Sequence, residues 1–313
     1  MQKNNKRTKI IIIILLLLLT TGCTKTLTDS DKKAVKNPTT GQTLTANIIC
    51  QPTNKETIEI YKENKVNIDK LPKCSEFKIN SGKYEGLWTS IFVKTLAYFL
   101  LLLGRIVKNY GVSVIIISLI IRFIAYPITK KTAMQSEIMK KAQPEINRIQ
   151  KKYANKKDQE SMIKQNQETM AVYKKYNINP MSGCLFAMIQ LPIFIAFFEA
   201  VQRTPVIFED RFLGLQLGTT PSVGITNATF YSYIILMLLI AATTYFSFKM
   251  SGMSNNDDPT MKMMPTMMTL MIIVTAMFMP TGLGIYWITS NVFTIAQNYM
   301  VRRSREVNGK KKI

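Results

Sequence analysis

Histidine is absent from all 313 residues, which removes the commonest general base and the commonest metal ligand near neutral pH. The four cysteines, Cys23, Cys50, Cys74 and Cys184, show no metal-ligand spacing. No glycine-rich phosphate loop and no nucleophile elbow is found. Acid is scarce, with 19 Asp+Glu against 41 Lys+Arg. A catalytic residue, a metal and a cofactor are therefore not expected.

What the chain has instead is apolar length and basic charge. Hydrophobic residues make up 47% of it, yet mean hydropathy is only +0.07, so polar segments share the chain with membrane spans. The formal charge of +22 suggests anionic lipid or RNA as neighbours, although in a membrane protein it first reports orientation. The expected fold is an all-α polytopic membrane protein: five transmembrane helices, an outer interfacial helix and a cytoplasmic helical hairpin.

Lys3, Lys6, Arg7 and Lys9 precede the apolar run Ile10 to Leu19, and Thr20-Thr21-Gly22-Cys23 follows. That order describes a secretory signal over 1–22. A cysteine directly after Gly22 is similar to a lipoprotein cleavage box and makes Cys23 the candidate lipidation site. Thr20 stands where that box usually has Leu, and an uncleaved signal anchor is the alternative. On either reading the polar segment 23–85 lies outside the cytoplasm. Export permits a Cys50–Cys74 disulfide; two separate thiols are the alternative.

The stretch 86–108 is apolar but carries Lys94, Arg105 and Lys108 on one helical stripe. It is expected to lie in the outer interface. Core 109–303 then holds spans at 111–129, 182–202, 229–250, 263–279 and 282–301, each near the ~20 residues a bilayer needs. Pro280-Thr281-Gly282 makes a tight hairpin of the last two. Segment 130–175 holds 12 Lys/Arg against five acids, and 302–312 holds six against Glu306. Loop 203–228 is neutral, with Arg203 and Arg211 against Glu209 and Asp210. This bias favours an outer N-terminus and a cytoplasmic tail, 304–313. Within 130–178, Pro144 suits the first turn of a helix running to about Ala154. Residues 155–158 then turn into a second helix ending near Tyr176. Ile146, Ile149 and Tyr153 can face Met162, Met170 and Tyr173.

Arg122 sits seven residues from the inner end of the first span, in a run otherwise almost free of polar side chains. Arginine keeps its charge at any accessible pH, so at membrane depth it needs water, a partner or a ligand. Glu199 lies 17 residues from the inner end of its own span. A ten-residue difference at ~1.5 Å per residue is ~15 Å, so Glu199 should not pair with Arg122 and is expected at the outer rim. Gln190, Thr243, Thr244, Thr269 and Asn291 do share Arg122's level. The outer half of the first span, 112–117, is nearly all aliphatic. A wet pocket, open to the cytoplasm and positively charged, is the inference. Its plainer rivals are threonines bonded to their own backbone and an arginine snorkelling to inner headgroups.

Four motifs then carry a resemblance. They are Ile-Ile-Arg-Phe-Ile-Ala-Tyr-Pro-Ile (120–128), Gln-Pro-Glu-Ile-Asn-Arg-Ile-Gln (143–150), Asn-Pro-Met-Ser-Gly-Cys-Leu-Phe-Ala-Met-Ile-Gln-Leu-Pro-Ile-Phe (179–194) and Gly-Ile-Tyr-Trp-Ile-Thr-Ser-Asn (284–291). In order and spacing they resemble the YidC/Oxa/Alb membrane protein insertases, over about 86–303, with a lipoprotein-like start similar to the Gram-positive form. The resemblance implies a five-span core whose groove opens to cytoplasm and lipid, with groove positions at Arg122, Gln190 and Trp287. It also implies nascent membrane proteins as clients and the Sec translocase as a partner, without nucleotide hydrolysis. The short tail argues against strong ribosome tethering, and the basic hairpin can touch anionic lipid. The rivals are a secondary transporter using Arg122 as an anion site, against which five unequal spans offer no repeat, and a scaffolding lipoprotein.

Overall fold

The computed structural model describes residues 24–156, 158–179, 182–226, 230–251 and 259–310. The expected signal peptide and Cys23 lie outside them. Two compact units emerge: Met1–Ile117, Leu191–Met237 and Ala276–Tyr286 form the first, and Ser118–Gln190, Leu238–Thr275 and Trp287–Ile313 form the second.

The first unit opens with a small module that the polar, aperiodic segment 23–85 did not advertise. Isolated bridges Thr26↔Thr45, Thr28↔Ala34 and Lys36↔Thr43 fold its start. Helix α1 (Lys55–Glu63) begins where the Asn54 side chain accepts from Glu56 N and Thr57 N, satisfying two otherwise orphaned donors. Leu27, Leu44, Ile48, Tyr61, Ile68 and Phe208 make one core. The Tyr61 hydroxyl donates to Thr45 O at 2.8 Å, and burial pushes this phenol's pKa up. Cys50 and Cys74 are bonded to each other.

A π-turn (Thr89–Val93) leads into α2 (Lys94–Val107), which ends at Lys108 in the left-handed region (φ 55°). Its protein-facing side is Val93, Lys94, Ala97, Leu100, Leu101 and Gly104. Lys94 is only 3% exposed, and its head donates to Ser81 O at 2.6 Å and Lys83 O at 3.0 Å. Arg105 donates to Ser75 O. The basic stripe thus ties the helix to the segment that precedes it. Among the described residues, Thr89–Val107 is by length and composition one of three helices apolar enough to cross a membrane, beside α3 (Tyr110–Tyr153) and α8 (Phe230–Met250).

The first unit is completed by the end of α5 (Ser182–Arg203), the short α6 (Pro205–Phe208), the hairpin β1 (Arg211–Phe212) and β2 (Leu215–Gln216), and α7 (Pro221–Gly224). Helices α9 (Pro259–Ala276) and α10 (Thr281–Lys310) meet at a short turn. That turn is pinned by Thr281 N donating to Thr219 O and Gly282 N to Leu217 O, both at 2.8 Å. A Cβ at Gly282 would stand 3.3 Å from Leu217 O, so the backbones need glycine's small profile here.

In the second unit, α3 corrects one expectation. It runs 44 residues without a break, with Pro127 and Pro144 both inside it. Pro144 starts no new helix. An interior proline loses one backbone bond and costs ~3 kcal/mol. Good helix formers over 130–143, and the packing of Ala142 and Ile146 against Val172 and Ile178, oppose that cost. Asp158 caps the returning helix α4 (Gln159–Lys175) by accepting from Ser161 N at 2.8 Å. A second expectation also changes, because Met162 and Met170 are exposed and Val172 and Ile178 fill the seam instead. Glu145 with Lys175 and Tyr176, and Glu168 with Lys152 and Tyr153, clasp its edges.

Candidate functional site

Every residue expected at the level of Arg122 belongs to the second unit: Gln190 at the end of its share of α5, Thr243 and Thr244 on α8, Thr269 on α9 and Asn291 on α10; Trp287, a groove position by the resemblance, lies on α10 in the same unit. Arg122 itself is 7% exposed. At 100° per residue, Ser118, Arg122 and Thr129 fall within about 40° of one another on α3. All three are buried. The opposite side of α3 shows Phe123, Ile124 and Ile128 to the exterior. One helix thus presents a polar stripe inward and an apolar face outward.

Helix α10 lies beside this stripe. The Phe123 and Phe293 rings meet edge to face with centroids 5.1 Å apart, and Thr129 Oγ1 donates to Gln297 Oε1 at 2.9 Å. Both numbers rise together, so the two helices run in the same direction here. On α10, Ser290, Gln297 and Asn298 are buried, and the Ser290 hydroxyl bonds to no other described residue.

Three expected residues form one hydrogen-bonded knot. Thr244 Oγ1 accepts from Trp287 Nε1 at 2.9 Å and from Asn291 Nδ2 at 3.0 Å. Two others do not join it. Thr243 bonds back to Leu239 O and Thr269 to Pro265 O, both at 2.7 Å, each within its own helix. Gln190 is half-buried. Ser118, Thr129, Ser247, Ser290, Gln297 and Asn298 were missed. Their signal was available, since 118/122/129, 244/247 and 290/297 recur at helical spacing on single faces.

Charge is one-sided across this layer. Residues 118–129, 238–248, 263–279 and 287–300 contain no ionisable side chain that is charged at neutral pH except Arg122. Glu199 belongs to the first unit, where its Oε1 accepts from Trp88 Nε1 at 2.9 Å and Arg203 approaches its Oε2 at 3.8 Å. It is buried there at 1% exposure. Arg203 also donates to Asn47 O at 2.7 Å and pairs with Glu85. Among the described residues no group of acids, cysteines or histidines could hold a metal ion.

Residues 102–309 match a family described as 60Kd inner membrane protein. The chain is 33% identical over 229 residues to "Membrane protein insertase YidC 1" of Halalkalibacterium halodurans, covering 72% of this chain and 84% of that one. It is 36% identical over 195 residues to "Membrane protein insertase MisCA" of Bacillus subtilis, covering 62% and 70%. A solved structure described as an active YidC insertase with the first transmembrane domain resolved is similar with a TM-score of 0.53. At 24% identity, over 78% of this chain and 52% of that one, the likeness shows the fold. The chain spans about half the length of that solved protein.

Proposed function

The chain belongs to the YidC/Oxa/Alb family of membrane protein insertases, and from that membership we propose that it inserts membrane proteins into the bilayer. Family and apolar helices together make it a multi-pass protein of a bacterial cell membrane. Under this proposal five spans cross, the N-terminus is outside and lipid-anchored at Cys23, and the basic hairpin and tail face the cytoplasm and its anionic lipid. The helix Thr89–Val107 lies in the outer interface, a placement supported by the engagement of Lys94 and Arg105 with residues 75–83.

The observation that carries the reading is the buried polar layer of the second unit. Ser118, Arg122 and Thr129 line one helix face, and Thr244, Trp287 and Asn291 form a hydrogen-bonded knot. The outward sides of the same helices are apolar. An arginine and a run of polar side chains among membrane helices are costly to carry and mark a functional path, so a hydrated groove is the arrangement that makes such a layer useful. A client's hydrophilic, often acidic tail enters from the cytoplasm and is drawn to Arg122 as a charge-assisted partner. Thr244, Trp287 and Asn291 offer it polar contacts, and the groove shortens the apolar barrier. The client's hydrophobic helix then passes to the lipid side, where burial at ~25 cal/mol/Å² drives release. No bond is made or broken. The Sec translocase is the proposed partner.

A photoreactive residue at 287 or 190 should crosslink nascent membrane chains held on stalled ribosomes, while one at the outward-facing Ile124 should give far less adduct before release. Equal yields from all three positions would remove the groove.

A further inference from the structure

The segment just ahead of α2 has an arrangement that the insertase reading leaves unused. Between residues 78 and 87 the backbone is fastened. Ser81 N donates to Lys78 O and Lys78 N to Ser81 Oγ, both at 2.9 Å, closing a turn. The buried Lys94 head grips Ser81 O and Lys83 O, and Glu85 pairs with Arg203. Gly82 and Gly86 adopt φ of +73° and +99°, which lets the chain fold back tightly. All of these restraints act on polar atoms. The apolar side chains they hold point outward: Tyr84 is 71% exposed, Leu87 57% and Ile79 40%.

A loop that spends its polar contacts on the protein and turns Ile, Tyr and Leu away from it needs an apolar neighbour. The chemistry of that neighbour is given by what surrounds the patch. Leu87 runs on into Ile91 and Phe92, the exposed apolar face of the helix proposed to lie in the outer interface. Lys78 and Lys83 flank the patch and are themselves exposed. Tyrosine and leucine over lysine is the composition of a segment seated at a membrane surface, with rings at headgroup depth and cations against anionic lipid.

We propose that residues 78–87 are a second membrane contact of the outer module, in which Ile79, Tyr84 and Leu87 enter the outer leaflet and Lys78 and Lys83 bind anionic headgroups. The contact holds the disulfide-bonded module against the bilayer independently of any lipid on Cys23. It rests on the interfacial placement of α2 only for its continuity with that helix.

The test uses the full chain with Cys23 and Cys184 replaced by serine. Tyr84→Cys, Leu87→Cys, Phe99→Cys and Lys32→Cys, one at a time, carry a nitrobenzoxadiazole label in vesicles of phosphatidylcholine with or without phosphatidylglycerol. Phospholipid spin-labelled near the headgroup should quench positions 84 and 87 strongly and leave position 32 bright. The quenching should increase when phosphatidylglycerol is present. Position 84 as bright as position 32 would overturn the proposal, and if position 99 is quenched by the same lipid the interfacial helix survives that failure. Equal quenching on both vesicle types would overturn the role given to Lys78 and Lys83. Emission at 84 that tracks protein density and ignores the spin label would assign the patch to a second copy of the chain, and would overturn it as well.

Discussion

Replacing Thr244 by valine keeps the side chain's shape and removes one oxygen. That oxygen accepts from two donors, Trp287 Nε1 at 2.9 Å and Asn291 Nδ2 at 3.0 Å. In a dry core both donors would be stranded, at ~1–3 kcal/mol each, so the variant would lose about 2–6 kcal/mol. Beside a hydrated groove, water takes over both donors and the loss falls to within ~1 kcal/mol. Thr269→Val is the internal reference. Its hydroxyl donates to Pro265 O of its own helix at 2.7 Å, so its loss strands no donor. Unfolding free energies of both variants, measured by steric trapping in bilayer discs, compare the two directly. The hydrated groove predicts that Thr244→Val costs at most about 1 kcal/mol more than Thr269→Val, while slowing insertion of clients with polar tails. A difference above ~2 kcal/mol would mean dry packing and would refute the groove.

Other sites give further outcomes. Arg203→Met removes the cation facing buried Glu199 and should loosen the outer module by about 3–5 kcal/mol, the cost of stranding one member of a buried pair. Adding Glu199→Gln should recover part of it in a proteolysis assay, and no recovery would show that the pair is uncoupled. In the hairpin, hydrogen bonds from Lys175 and Tyr176 hold the Glu145 carboxyl below its ordinary range, and those from Lys152 and Tyr153 do the same for Glu168. Their stabilisation is present above the unfolded value of about 4.3 and is lost as pH falls through the lowered folded values. Hydrogen exchange of α4, corrected for intrinsic rates, should therefore hold from neutral pH to about 5 and quicken below about 4. Glu209 has the opposite sign. Burial raises its pKa despite bonds from Thr53 and Asn54, so the outer module should gain stability as pH falls from above that raised value toward about 4.3. Exchange that moves the same way in both places would contradict these assignments.

The sequence was readable where one residue type carries the signal. The charge of Arg122 in an apolar run and the polar side chains at its depth marked the second unit's layer. Counting depth could not choose among those side chains, because Thr243 and Thr244 differ by one residue in depth but by 100° around the helix. Only Thr244 turns toward Trp287 and Asn291. Pro144 looks like a helix start because its lost donor is visible in sequence, whereas the packing of Ala142 and Ile146 that offsets it is a tertiary effect. The outer module was illegible for another reason. Its core draws single residues from short bridges, α1 and Phe208, which lies 140 residues beyond Ile68, and no local period records such a set.

The role of Arg122 is the central claim, and a client series with graded tail charge tests it most directly. Insertion would be followed at matched insertase levels for the wild type, Arg122→Lys and Arg122→Ala. Attraction to a hydrated acidic tail needs a cation and no bidentate fork, so lysine should largely support insertion. Alanine should lower insertion of acidic-tailed clients by about tenfold or more, the equivalent of ~1.4 kcal/mol, and spare neutral tails. An alanine variant that inserts the whole series as well as the wild type, or fails every client alike with lowered abundance, would contradict the account.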